Sequence, residues 1–194
     1  FEQFPDPDIV MITHIHPDHF DVETLAELGT DYKIIAPASV AKKLPKSHMK
    51  ITTVVKNEQE IDLSDFQVEA IPMYNTTQSR KKFHPEGRGN GYTISLDNYS
   101  LYVSGDTEFT PEMKKLEGID QALLCMNLPY TMNHEQAAKA VLEFKPEEVI
   151  PYHYRGRKND AYYYENVEAF KDIVTSKSKD VNVKLMEWYP DKDS

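Results

Sequence analysis

Four side chains able to bind a metal fall within six consecutive positions, His14, His16, Asp18 and His19, directly behind the apolar run Ile9-Val10-Met11-Ile12. A buried strand that ends in such a cluster ties the fold to a site at that strand's carboxyl end. Imidazole nitrogen and carboxylate oxygen are both good ligands for zinc and similar ions. In extended backbone His14 and His16 project to one side, so the pair can grip a single ion. Pro17 breaks the strand and turns the chain, leaving Asp18 and His19 free to face a second ion. Two ions about 3.5–4 Å apart suit hydrolysis.

The segments around this motif alternate between strand and helix patterns. Strands are expected at Lys33–Ala36, Ile51–Val55, Glu60–Leu63, Phe66–Ile71, Gln121–Met126, Val149–Tyr152 and Val181–Met186. Gly91–Leu96 and Ser100–Ser104 read as a hairpin turning over Asp97-Asn98-Tyr99. Helices are expected at Asp21–Leu28, capped by Asp21, and at Ser39–Leu44, His134–Phe144 and Val167–Thr175. Interleaved helices with two groups of strands predict a layered α/β domain spanning residues 1–194, with no repeat or linker to divide it.

The bulk properties narrow the partners. Acidic residues outnumber basic ones by 32 to 22, a formal net charge of -10. Such a field disfavours nucleic acid and anionic membranes, yet an anionic small-molecule substrate remains compatible with a local cationic spot. No apolar run reaches membrane-spanning length. One cysteine, Cys125, excludes an internal disulfide and fits a reducing compartment. This favours the cytoplasm, although the start at Phe1 leaves the compartment open; oligomeric state is not legible.

The pattern His-x-His-x-Asp-His behind a hydrophobic strand resembles the signature of the metallo-β-lactamase superfamily at all four positions. That resemblance implies an αββα sandwich and three further ligands in a set order. The first is a distant histidine. His84, in Lys82-Phe83-His84-Pro85-Glu86-Gly87, is favoured over His48, whose surroundings read as a solvated turn. The second is a metal-bridging aspartate, matched by Asp106 in Leu101-Tyr102-Val103-Ser104-Gly105-Asp106-Thr107, where Gly105 permits an unusual backbone conformation. The third is His153, behind Val149-Ile150-Pro151-Tyr152; its competitor His134 reads as first-turn chemistry of a helix capped by Thr131 or Asn133. The resemblance thus assigns His14, His16 and His84 to one divalent ion, Asp18, His19 and His153 to a second, and Asp106 to both. It implies zinc first, with manganese, iron or nickel as alternatives.

The stretches Phe83–Tyr92 and Asn127–Met132 look like a branch that includes ascorbate-6-phosphate lactonase and N-acyl-phosphatidylethanolamine phospholipase D. Other branches fit less well. Flavodiiron proteins usually carry glutamate where His16 stands. The 21 residues between His84 and Asp106 leave no room for the inserted domain of β-CASP nucleases. True β-lactamases usually lack the aspartate at position 106, no protruding arm of the transfer-RNA processing type is found, and the tail after His153 is short for the helical domain of glyoxalase II. Members of the fold normally begin with several strands before the histidine motif, so the first strands are expected to be missing here or supplied by a partner.

The implied activity is hydrolysis of a small ester, lactone or phosphodiester by a hydroxide held between two metals, with Asp18 and Asp106 as the catalytic carboxylates. Phospholipase action and a non-hydrolytic redox or scaffold module are the alternatives. Thr107 and Glu108 are candidates for tuning the ligands. Arg80, Lys81 and Lys82 before His84, and Arg155 and Arg157 after His153, are cations that can hold an anionic substrate. Arg80, Arg155 and Tyr130 are the substrate contacts expected. Tyr152 and Tyr154 fit either pocket or core, and the run Tyr162-Tyr163-Tyr164 reads as packing beneath a helix.

Overall fold

The computed structural model describes residues 5–159 and 161–190. Three strands, β1 (Ile9–Met11), β2 (Lys33–Ala36) and β3 (Thr52–Val54), form a parallel sheet in the order β1-β2-β3. Parallel pairing demands crossovers. Helix α1 (Val22–Leu28) supplies the first, and the short helices α2 (Ala38–Ala41) and α3 (Lys46–Met49) supply the second. The side chain of Asp21 caps α1 by accepting from the Thr24 amide at 2.6 Å.

A larger sheet of seven strands follows, in the order β12-β9-β8-β7-β6-β5-β4. It begins antiparallel through β4 (Glu60–Asp62), β5 (Gln67–Met73), β6 (Gly89–Leu96) and β7 (Tyr99–Val103). It continues parallel through β8 (Gln121–Cys125), β9 (Glu148–Tyr152) and β12 (Asn182–Val183). Helices α4 (His134–Phe144) and α5 (Val167–Lys177) make those later crossovers. Asn133 and Gln136 close a capping box at the start of α4.

The layers follow from the two-residue period of the strands. On β2, Ile34 packs with Phe20, Leu25 and Val40 on the helical side, whereas its neighbour Ile35 packs with Val68, Ala70 and Tyr92 of the second sheet. The other face of the large sheet, through Tyr102, Leu124 and Val149, meets α4 and α5 at Val141, Phe144 and Phe170. The order is helices, sheet, sheet, helices: the αββα sandwich.

Several expectations are corrected. The strand expected at Ile51–Val55 spans Thr52–Val54 and pairs parallel with β2. Tyr99 is a strand residue paired with Leu96, so the β6–β7 turn consists of Asp97 and Asn98 alone, with Asp97 at φ 51°. The helix expected at Ser39–Leu44 spans Ala38–Ala41, and the final strand shrinks to Asn182–Val183. The tyrosine run does not lie under a helix: Ala161–Tyr164 is β11, paired antiparallel with β10 (Arg155–Lys158), and Tyr162 is exposed. His48 is buried rather than solvated, its Nε2 lying 3.2 Å from the Leu25 carbonyl and 3.1 Å from that of Gly29, where it locks α3 onto the end of α1.

Candidate metal centre

All seven residues singled out as ligands lie in segments between strands and meet at one edge of the sandwich. His14 follows β1, His84 lies between β5 and β6, Asp106 follows β7 and His153 follows β9. Two bonds join the sheets behind the cluster: the Asn90 amide donates to the Thr13 carbonyl, and the Tyr92 hydroxyl to that of Ile12, both at 2.9 Å. The turn at Pro17 is closed by the His19 and Phe20 amides donating to the His16 carbonyl, which swings His19 back beside His14.

The backbone enters the left-handed region at two of these strand ends, freely at a glycine and with strain at a histidine. Gly105 has φ 60°, and a Cβ there would lie 2.6 Å from Met73 Sδ. His153 has φ 50°, a conformation uncommon for a residue with a Cβ. Observed strain at a site residue is a pointer to function.

His14, His16, His84 and Asp106 form one group, and Asp18, His19 and His153 a second; within each, one ligand atom per residue lies within 4.8 Å of every other. His14 Nε2 is 3.0 Å from His16 Nδ1, which is 3.3 Å from His84 Nε2. His153 Nε2 is 3.1 Å from Asp18 Oδ2. Asp106 touches both groups, with Oδ2 3.4 Å from His84 Nε2 and 3.5 Å from His153 Nε2, and Oδ1 3.4 Å from His19 Nε2.

The electrostatics favour the forms a cation needs. Burial, then the neighbouring His19, depresses His14 from 6.5 to about 3, so its imidazole is neutral. Burial also lowers His16 and His19 from their ordinary value. Burial pushes Asp106 upward, but the hydrogen bond from His84 and the imidazoles of His153, His19 and His14 outweigh it and hold the carboxyl below its usual range. His153 bonds Asp18, which is brought down to about 2. His153 itself is raised, because its bond to Asp18 and the charge of Asp106 outweigh burial. The buried atoms His19 Nε2 and Asp106 Oδ1 face one another without a hydrogen bond. Buried polar atoms left without a partner are rare, and a cation between them would satisfy both, so these residues fit a metal.

Outer groups hold the ligands in place. His84 Nδ1 lies 3.2 Å from the Tyr130 carbonyl, and Asn75 Nδ2 donates to that same carbonyl at 2.7 Å and to the Arg80 carbonyl at 3.0 Å. Asn127 Nδ2 lies 3.1 Å from His153 Nδ1 and donates to the Arg155 carbonyl at 3.2 Å. Glu108 Oε2 accepts from the Thr76 and Thr77 amides at 2.7 and 2.6 Å, and Thr107 bonds the Tyr74 carbonyl. Neither Asn75 nor Asn127 stood out in the sequence as a positioning group, because an isolated asparagine carries no spacing signal.

The cluster forms the floor of a cleft of about 820 Å3. Phe83, Tyr130, Tyr152, Arg155, Arg157, Tyr162, Trp188 and Tyr189 line its walls. Tyr130 and Arg155 thus stand where a substrate contact is expected, whereas Tyr154 is buried in the core behind Tyr152. Arg80 does not reach the cleft. Its Nη1 is 2.9 Å from Glu108 Oε1 and also donates to the Thr131 carbonyl. The expectation that Arg80 contacts substrate is therefore corrected: the buried Glu108 draws its guanidinium away from the opening.

The sandwich with histidines and aspartates converging at its strand ends is the architecture of a metallo-β-lactamase-fold protein. A Beta-lactamase superfamily domain is matched over residues 1–154. The UPF0173 metal-dependent hydrolase of Pyrococcus furiosus is 31% identical over 188 residues, covering 94% of this chain and 81% of the relative. The chain therefore belongs to the UPF0173 metal-dependent hydrolases of the β-lactamase superfamily. A crystal structure described as a putative metal-dependent hydrolase from Parabacteroides distasonis is 40% identical, with a TM-score of 0.83 over 96% of this chain and 79% of that one. Igni18, a metallo hydrolase from Ignicoccus hospitalis, superposes with a TM-score of 0.74 at 23% identity, covering 92% of this chain and 76% of that one; it shares the fold.

Proposed function

We propose that this chain is a binuclear hydrolase that opens a small ester, lactone or phosphodiester. The carrying observation is Asp106, whose two oxygens face His19 on one side and His84 and His153 on the other. In this reading His14, His16 and His84 hold one divalent ion, Asp18, His19 and His153 hold the other, and Asp106 serves both. The nitrogen-rich donor set favours zinc, with manganese, iron or nickel also compatible. When bound, divalent ions supply activation of water near neutral pH and neutralisation of developing charge. The protein's own part is to present neutral imidazoles, to keep Asp106 ionised and buried, and to orient the reacting group with Asp18, whose side chain reaches the open cleft at 58% exposure. The substrate range follows the resemblance of Phe83–Tyr92 and Asn127–Met132 to the lactonase and phospholipase D branch.

Metal content by mass spectrometry, paired with hydrolysis of bis(4-nitrophenyl) phosphate and of a 4-nitrophenyl ester, tests the proposal. The wild type is expected to carry about two ions per chain and to turn over at least one probe. His84→Ala and Asp106→Ala should lose both metal and activity. Unchanged metal in those variants overturns the ligand assignment. Metal bound without turnover overturns the hydrolase reading in favour of a redox or scaffold role.

A further inference from the structure

One cation in the cleft is met by aromatic rings and by no acid among the described residues. The Arg155 guanidinium lies over the ring of Tyr189 at 4.3 Å and over that of Tyr162 at 4.6 Å. Among the described residues no carboxylate pairs with it, although acidic residues outnumber basic ones by 32 to 22 in this chain. Arg80 offers the contrast, being drawn to Glu108. Ring faces against a guanidinium occupy its plane and leave its N–H edge for a planar anion.

Arg155 is also fixed relative to the metal-binding cluster. It stands two residues beyond His153, and the Asn127 amide that donates to the Arg155 carbonyl lies beside the His153 ring. At Gly156 a Cβ would lie 2.0 Å from the Tyr163 ring, so β10 sits flush on β11, the strand that carries Tyr162 against the guanidinium. Phe83 and Tyr130, packed edge to face at 5.0 Å, and Trp188 add apolar lining.

We infer that Arg155, clasped by Tyr162 and Tyr189, is the specificity determinant of the cleft and selects small molecules bearing a carboxylate or phosphoryl group remote from the bond to be cleaved, joined to it through an apolar or planar segment. This rests on the hydrolase reading for the bond-breaking end alone; the anion-recognition end is separable from it. An anion is a costly ligand to draw toward so acidic a chain, and a charge-assisted bidentate contact is the chemistry that achieves it.

Trp188 allows occupancy to be read without turnover, because it lines the cleft and is the chain's single tryptophan. Its emission is titrated with glutaric acid monoanilide and with the neutral valeranilide, amides of matched size. The acid should bind about 10–100-fold more tightly, the range expected of a hydrogen bond to a charged group. Arg155→Gln should abolish that preference and Arg155→Lys should keep part of it, each checked for folding by circular dichroism. Phenyl phosphate should compete with the acid if a phosphoryl group is accepted as well. Equal binding of the two amides, or binding of neither, overturns the inference on the wild type alone. A response to phosphatidylglycerol vesicles without one to the acid overturns it in favour of a lipid headgroup. Hydrolysis of mono(4-nitrophenyl) glutarate against 4-nitrophenyl valerate, run in parallel, reports on the hydrolase reading: a binding preference without turnover of either ester sinks that reading and leaves Arg155's role standing.

Discussion

The Arg80 guanidinium and the Glu108 carboxylate lie 2.9 Å apart and join the loop that presents His84 to the strand end that presents Asp106. Glu108 is nearly inaccessible at 4% side-chain exposure, and Arg80 is largely covered at 18%. Removing one partner of a buried pair leaves the other charge uncompensated. Arg80→Ala should therefore destabilise the protein by about 3 kcal/mol, moderated because Glu108 keeps its bonds from Thr76 and Thr77. Urea unfolding of wild type and variant measures this. A change of a few tenths of a kcal/mol would return Arg80 to the class of ordinary surface cations.

Asn75 makes a prediction of a different kind, since it acts through His84. Its amide spans the Arg80 and Tyr130 carbonyls, and the second of these also faces His84 Nδ1. Groups that orient a metal-binding histidine commonly contribute 10–100-fold, roughly, to metal affinity. Asn75→Ala should lower affinity by about that factor while the protein stays folded. Competition against a colorimetric chelator gives the constant. An unaltered constant would mean that the loop holds His84 unaided.

The metal-free protein should weaken as acid is added, and the sign follows from His14, His16 and His19. All three are depressed below their ordinary value of 6.5 by burial first of all. Above about pH 6.5 they are neutral folded or unfolded and contribute no slope. Below it the unfolded chain takes up protons that the folded chain refuses, so stability falls until the folded value is reached, about 3 for His14. His14 alone would account for about 2–3 kcal/mol lost by about pH 4.5. His153 is raised and opposes the trend, one imidazole against three. Glu108, held low by its amide bonds and Arg80 despite burial, adds to the loss only at still lower pH. Unfolding of chelator-treated protein at several pH values shows the slope, which should flatten in His14→Gln. Stability independent of pH from 7 down to about 4 would contradict the argument.

These relationships also explain what could be read from the residues alone. His14, His16, Asp18 and His19 were legible because four donors crowd one strand end, whereas His84, Asp106 and His153 were reached through the resemblance, which sets the order of the remaining ligands; Asp106 and His153 follow strands and His84 lies in a loop. Arg80 was misread for a physical reason. Its nearness to His84 along the chain says nothing of direction, and its partner Glu108 lies 28 positions away. The β10–β11 hairpin was hidden because Arg155–Lys158 and Ala161–Tyr164 lack alternation of apolar and polar residues. His48 looked solvated because its acceptors are backbone carbonyls of α1 and its cap, which no side-chain pattern announces.

Gly105 gives the sharpest test of how the strand end aims Asp106. Two separate effects oppose a side chain there. The φ of 60° strains any residue with a Cβ, at about 1–2 kcal/mol. The added Cβ would also meet Met73 Sδ at 2.6 Å and Thr13 Cβ at 3.1 Å. Met73 is flexible and can yield, but Thr13 carries the backbone next to His14. Gly105→Ala should therefore lower stability by about 2–4 kcal/mol and reduce metal affinity, because Asp106 and His14 are displaced together. Combining it with Met73→Ala separates the two effects. The pair should show a favourable coupling of about 1 kcal/mol, as the sulfur clash vanishes and the backbone strain persists. Full rescue by the second substitution would mean that the left-handed conformation is dispensable, and strictly additive losses would mean that Met73 is not what Gly105 makes room for.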